Sequence, residues 1–204
     1  MIHKAPIRLW REARQLLSEL WSIFGAPTEM AKTGFYSRTD HDLLRQWLRA
    51  CEAVLRALLF MEAVELCAAG DVPMPRAHKP RPRTPQQNPA RDPNQPDAWR
   101  VRFRVFDRAP LASGGARQRK AFTRLGPRVY LAWPLAERAQ ACLRVFNNPD
   151  RYVLRLARKL KANPRAGLSI NTSGDSHKPM IMPHIWDEVC VAVADATERL
   201  PDSS

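Results

Sequence analysis

The stretch Ile7-Arg8-Leu9-Trp10-Arg11-Glu12-Ala13-Arg14-Gln15-Leu16-Leu17-Ser18-Glu19-Leu20-Trp21-Ser22-Ile23-Phe24 decides what kind of fold this chain builds. Leu9, Trp10, Ala13, Leu16, Leu17, Leu20, Trp21, Ile23 and Phe24 fall on one half of a helical circumference, and the charged and polar residues fall on the other. A helix with one apolar half must bury that half, so the period predicts a core-facing helix, stopped by Gly25 and Pro27. Two tryptophans on the apolar side also suit a membrane surface. The polar side mixes Arg8, Arg11 and Arg14 with Glu12 and Glu19, however, and that mixture favours packing against protein.

Downstream, a second helix is expected from Thr39, which caps it, with Asp40 and Asp42 complementing the positive end of the helix dipole. Leu43, Leu44, Trp47, Leu48, Cys51, Val54, Leu55, Leu58 and Leu59 form its apolar stripe, opposite Arg45, Arg49, Glu52 and Arg56. Beyond Phe60 the phase breaks. Glu62 and Glu65 fall in line with the stripe while Phe60, Val64 and Cys67 point away, which predicts a kink near Phe60 or a different partner on the last turns. The two carboxylates are expected to reach past the core to solvent or an arginine, rather than to form a functional acid pair. Residues 1–70 thus read as an N-terminal amphipathic helical hairpin whose wide apolar face needs a further partner.

Residues 71–98 read as a proline-rich basic linker, extended or disordered. Pro73, Pro75, Pro80, Pro82, Pro85, Pro89, Pro93 and Pro96 leave no room for a helix or an inner strand. Residues 99–204 read as a basic α-rich unit with one short β-hairpin, able to share a core with residues 1–70. Trp99, Val101, Phe103 and Val105 alternate with Arg100, Arg102 and Arg104, the period of a strand with one apolar face and one arginine face. Arg128 to Trp133 is its expected hairpin partner. Helices are then expected over Leu135–Phe146, over Pro149–Lys161 with Asn148 as cap, and from Pro183 to Leu200. The middle one carries Arg151, Arg155, Arg158 and Lys159 on one stripe, opposite Val153, Leu156, Ala157 and Leu160. The fold class is mainly α.

The charge is local. The chain has 204 residues, 33 Lys+Arg against 20 Asp+Glu, and a net charge of +13. Residues 1–70 carry a net +1, residues 71–128 a net +10 and residues 129–204 a net +2. Basicity confined to one segment localises any contact with a polyanion. An arginine ladder over residues 100–104, followed by Arg117, Arg119, Lys120, Arg124 and Arg128, suits a phosphate backbone, with Trp99 and Phe122 available for base stacking. Arg151, Arg155, Arg158 and Lys159 would extend that surface. A helix-turn-helix at Asn148 lacks the usual turn glycine.

Several chemistries are excluded. Ser113-Gly114-Gly115 lacks the remainder of a P-loop, and Gly174-Asp175-Ser176-His177 lies too late in the chain for a hydrolase nucleophile with a later catalytic histidine. Cys51, Cys67, Cys142 and Cys190 form no C-x-x-C pair, and the histidines do not cluster, so no metal and no cofactor are expected. No stretch is long and apolar enough for a signal peptide or a membrane span, and unpaired cysteines suit a reducing compartment, so the expected location is cytoplasmic. The expectation is a non-enzymatic protein that binds nucleic acid or another polyanion. A protein-interaction adaptor, through an exposed helical face or the arginine strand, and a peripheral membrane protein acting through residues 7–24 are the alternatives. No small-molecule substrate is evident.

Overall fold

A computed structural model describes residues 5–70, 72–73, 92–105, 129–163 and 183–199. The protein is mainly α-helical with one two-stranded antiparallel sheet. In chain order the elements are α1 (Ile7–Phe24), α2 (Pro27–Thr33), β1 (Phe35–Ser37), α3 (Arg38–Ala68), a 3-10 turn (Pro96–Ala98), β2 (Val129–Leu131), α4 (Trp133–Asn147), α5 (Pro149–Ala162) and α6 (Pro183–Glu198).

α1 buries Leu9, Trp10, Ala13, Leu16, Leu17 and Leu20 as its period requires, while Ile23 at its end is exposed. Gly25 ends it with φ at 80° and donates its N–H to the Trp21 carbonyl at 2.8 Å. A Cβ at Gly25 would stand 2.5 Å from Glu29 Oε2, so both conformation and space call for glycine. The connection to α3 is more than a turn, because it forms α2 and β1. α3 starts earlier than expected. Ser37, not Thr39, is its cap: the Ser37 backbone is extended, and Oγ accepts the Asp40 N–H at 3.1 Å.

α3 is the axis of the fold. It packs against α1, α4, α5 and α6, and every residue from Ala57 to Val64 is buried. α3 runs unbroken to Ala68, and of the two alternatives at Phe60 the packing bears out the second, other partners on the last turns. The break in phase marks the point at which neighbours surround the helix, so no side of it needs to be polar. Glu62 is the correction that follows. It is 5% exposed rather than reaching out, and its Oε1 accepts the indole N–H of Trp10 at 3.0 Å. Burial without that donor would leave a carboxylate poorly satisfied. Trp10 in turn meets Phe146 edge to face at 5.9 Å. Glu65 does reach an arginine, Arg199, just beyond α6.

One core joins buried residues of α1 and α3 to those of α4, α5 and α6, together with Val72 and Trp99. The sheet departs from expectation. β2 pairs with β1, with Phe35 opposite Leu131, Tyr36 opposite Tyr130 and Ser37 opposite Val129. Residues 99–105 form no ladder. α2 packs against α4, which brings Gly34 to Ala132, and the Ala132 N–H donates to the Gly34 carbonyl at 2.9 Å. β2 therefore meets β1 first. Asn148 also departs from its expected part: its side chain caps nothing, and its N–H donates to the Arg144 carbonyl at 3.1 Å, closing α4 while Pro149 opens α5.

Candidate nucleic-acid interface

Residues 99–105 keep the alternation of a strand without being one. Val101, Phe103 and Val105 pack inward on the core, while Arg100, Arg102 and Arg104 are exposed. The burial that a ladder partner was expected to provide comes from helices instead. Phe103 meets Tyr152 of α5 edge to face at 6.3 Å, and Trp99 tilts against Trp133 of α4 at 4.8 Å. With the 3-10 turn Pro96–Ala98 that leads into it, the segment is a strap laid across the bundle.

Arginines fasten it through its own backbone. Arg144 of α4 donates to the carbonyls of Pro96 at 2.7 Å and Asp97 at 3.0 Å. Arg56 of α3 donates to the Arg104 carbonyl at 2.9 Å. The Trp99 indole donates to the Asp92 carbonyl at 2.7 Å, closing the loop that precedes the strap. Charged donors on neutral carbonyls are strong hydrogen bonds, and here they grip both ends of the strap.

Arg56 belongs to a wider network. Glu52 accepts from both Arg138 Nε at 2.8 Å and Arg138 Nη2 at 3.0 Å, and from Arg56 Nη2 at 3.2 Å. One part-buried carboxylate thus ties α3, α4 and the strap together. Burial works to lower the Arg138 pKa, and the paired Glu52 carboxylate outweighs it and holds the guanidinium above its usual range.

The expected site residues separate into groups. Arg102 and Arg104 on the strap, with Arg151 and Arg155 on α5, are exposed and form no ion pair among the described residues. Arg100 and Lys159 are exposed as well. The contact of Phe103 with Tyr152 sets the two basic stretches side by side. Arg158 differs: it is half-buried and donates through Nε to the Pro73 carbonyl at 2.9 Å, which occupies it in holding the chain after α3. Arg117, Arg119, Lys120, Arg124 and Arg128 lie outside the described residues, as do Phe122, most of the proline stretch and residues 174–177. Trp99 is corrected as a stacking residue, since at 5% exposed with its ring against Trp133 it presents no face to a base. Sequence reasoning missed Arg56 and Arg144. The signal for Arg144 was its lone positive charge on the otherwise apolar end of α4.

Other chemistry is sparse. Cys51 and Cys142 are buried; burial pushes the Cys51 thiol up to about 12 and the Cys142 thiol well above its ordinary value. Neither is a nucleophile near neutral pH. Among the described residues no three His, Cys, Asp or Glu side chains gather as a metal site, and no helix is long and apolar enough to cross a membrane. The largest exposed apolar side chains include Phe35, Val129 and Leu131, which share one face of the small sheet, with Leu43 at the start of α3. Comparison with known proteins finds no matching family model, no similar curated protein and no similar solved structure.

Proposed function

We propose that this is a non-enzymatic binding protein that contacts a polyanion, above all nucleic acid, through the arginine side of the strap and the basic side of α5. The observation that carries the reading is the set Arg102, Arg104, Arg151 and Arg155, exposed and without an ion pair among the described residues, on two stretches joined by the Phe103–Tyr152 contact. Arginines kept out of internal pairs retain the capacity to displace counterions from phosphates. The net +10 of residues 71–128 adds long-range attraction for a polyanion. Fluorescence anisotropy of labelled duplex DNA over roughly 50 to 300 mM salt tests it. Log affinity is expected to fall linearly with log salt, and the slope to flatten in R102A/R104A/R151A/R155A. An affinity indifferent to salt overturns the reading.

A protein-interaction adaptor is the second reading, and the apolar face formed by Phe35, Val129 and Leu131 favours it. Under it, F35S/L131S abolishes co-purification of a defined protein while the four arginine substitutions leave it intact. The peripheral-membrane reading would use the α1 face that is buried against α3, so it requires the bundle to open.

A further inference from the structure

We infer that the polyanion site does not end with the strap but continues onto the N-terminal half of α3, through Arg49 and Arg45. The inference rests on the polyanion reading above and lengthens that same site. Arg38, Asp42, Arg45, Arg49, Glu52 and Arg56 recur at alternating intervals of four and three, which places them on one stripe of α3. One end of that stripe meets the strap. Arg56 donates from Nε to the Arg104 carbonyl at 2.9 Å and from Nη2 to Glu52 at 3.2 Å. Helical side chains lean toward the N-terminus of their helix, and the Glu52 contact shows Arg56 doing so. The Arg104 carbonyl is therefore held over the turn that carries Glu52. Arg49 follows three residues further along, about 4.5 Å on the helix axis. The neighbouring strap residue, Phe103, packs on Tyr152 of α5, so α5, the strap and this stripe of α3 adjoin.

Arginines on a helix face are ordinarily balanced by carboxylates three or four residues away. On this stripe the carboxylates are already taken. Asp42 pairs with Arg38 at 3.8 Å, and Glu52 is shared by Arg56 and Arg138. Arg45 and Arg49 are exposed, and no hydrogen bond or ion pair among the described residues draws on them. Two like charges four residues apart work slightly against a helix, so the pair adds nothing to the fold that holds it. It is also rigidly presented, because α3 is the central helix of the bundle and only the two side chains need ordering on binding. From Arg56 to Arg45 the stripe runs about 17 Å, the rise of roughly five base pairs of duplex.

The test is anisotropy of labelled duplex DNA with the full-length protein over the same salt range, comparing R45A/R49A with R11A/R14A. The second variant removes equal charge from Arg11 and Arg14 on the exposed side of α1. R45A/R49A is expected to lower affinity at low salt on the order of tenfold and to reduce the log–log slope by about 1.8, about 0.9 for each phosphate released. R11A/R14A should leave the slope close to that of the unaltered protein. If the unaltered protein binds with a steep slope and R45A/R49A keeps it, the inference is overturned while the polyanion reading stands. An equal loss in both variants also overturns it, because net charge and not a contact on α3 would then be responsible. If the unaltered protein's affinity is indifferent to salt, both fall together. The urea midpoint of R45A/R49A should hold or rise, since a like-charge pair is removed. A marked fall would show that the two arginines serve the fold, and it too overturns the inference.

Discussion

The arginines beneath the strap and those above it are the same residue type within a few ångströms of backbone, yet they do opposite work. Arg56, Arg138 and Arg144 point inward, where Glu52 and three strap carbonyls absorb their hydrogen bonds. Arg102 and Arg104 point outward and meet no carboxylate among the described residues. The inner set holds the fold together and the outer set is left for something else. A net charge counts both sets alike, so composition alone overstates the charge on offer.

The largest expected effect separates the two sets by function. R102A/R104A/R151A/R155A should lower affinity for duplex DNA on the order of 100-fold at low salt, reducing the log–log salt slope by about 0.9 for each phosphate left without its arginine. Its unfolding free energy should move by less than about 0.5 kcal/mol, because the side chains removed are exposed and form no ion pair among the described residues. A large loss of stability in urea denaturation would break the comparison.

Next comes the inner set's shared carboxylate. Glu52→Ala removes the carboxylate that Arg138 and Arg56 share and should cost about 2–3 kcal/mol, read as a lower urea midpoint with an unchanged slope. Arg144→Ala is smaller. It removes two hydrogen bonds to strap carbonyls and should cost about 1 kcal/mol. Its binding signature sharpens the comparison: affinity drops modestly while the salt slope stays that of the unaltered protein, because every phosphate-facing arginine is still in place.

The last effect is on pH, and it is silent at neutral pH and appears only in alkali. Burial, then the nearby Glu52 charge, raises the Cys51 thiol from an ordinary value of 9.0 to about 12. The unfolded chain therefore gives up its proton first. Stability contributed by the neutral thiols is complete below about pH 9 and is lost as pH rises from there toward 12. Denaturation midpoints should be level with respect to these groups up to that point and decline above it, and Cys51→Ala with Cys142→Ala should flatten the decline.

Much of this was readable in advance wherever a period ran long enough to repeat. α1 and α5 show their buried faces over several turns, and residues 99–105 show theirs over seven positions. The sheet was not readable. Its strands are three residues each, too short to carry an alternation, and their meeting depends on α2 packing against α4. The strap shows the same limit from the other side: alternation reports that one face is covered, and says nothing of whether a strand or a set of helices covers it. In α3 the signal was present and its cause was not. A loss of period at Phe60 was the mark of a helix enclosed on all sides, and Glu62 made sense only with Trp10, fifty-two residues away, in view.

That enclosure has a consequence for how the protein comes to be made. The walls around α3 come from both ends of the chain: α1 precedes it, and α4, α5 and α6 follow long after. A nascent chain emerging N-terminus first carries α3 with most of its apolar girth bare until the last helix has left the ribosome. Contacts so distant in sequence close slowly. Synthesis that stops early, or a break before Pro183, would release a long uncovered helix, a species to be expected in the hands of chaperones and proteases rather than in solution.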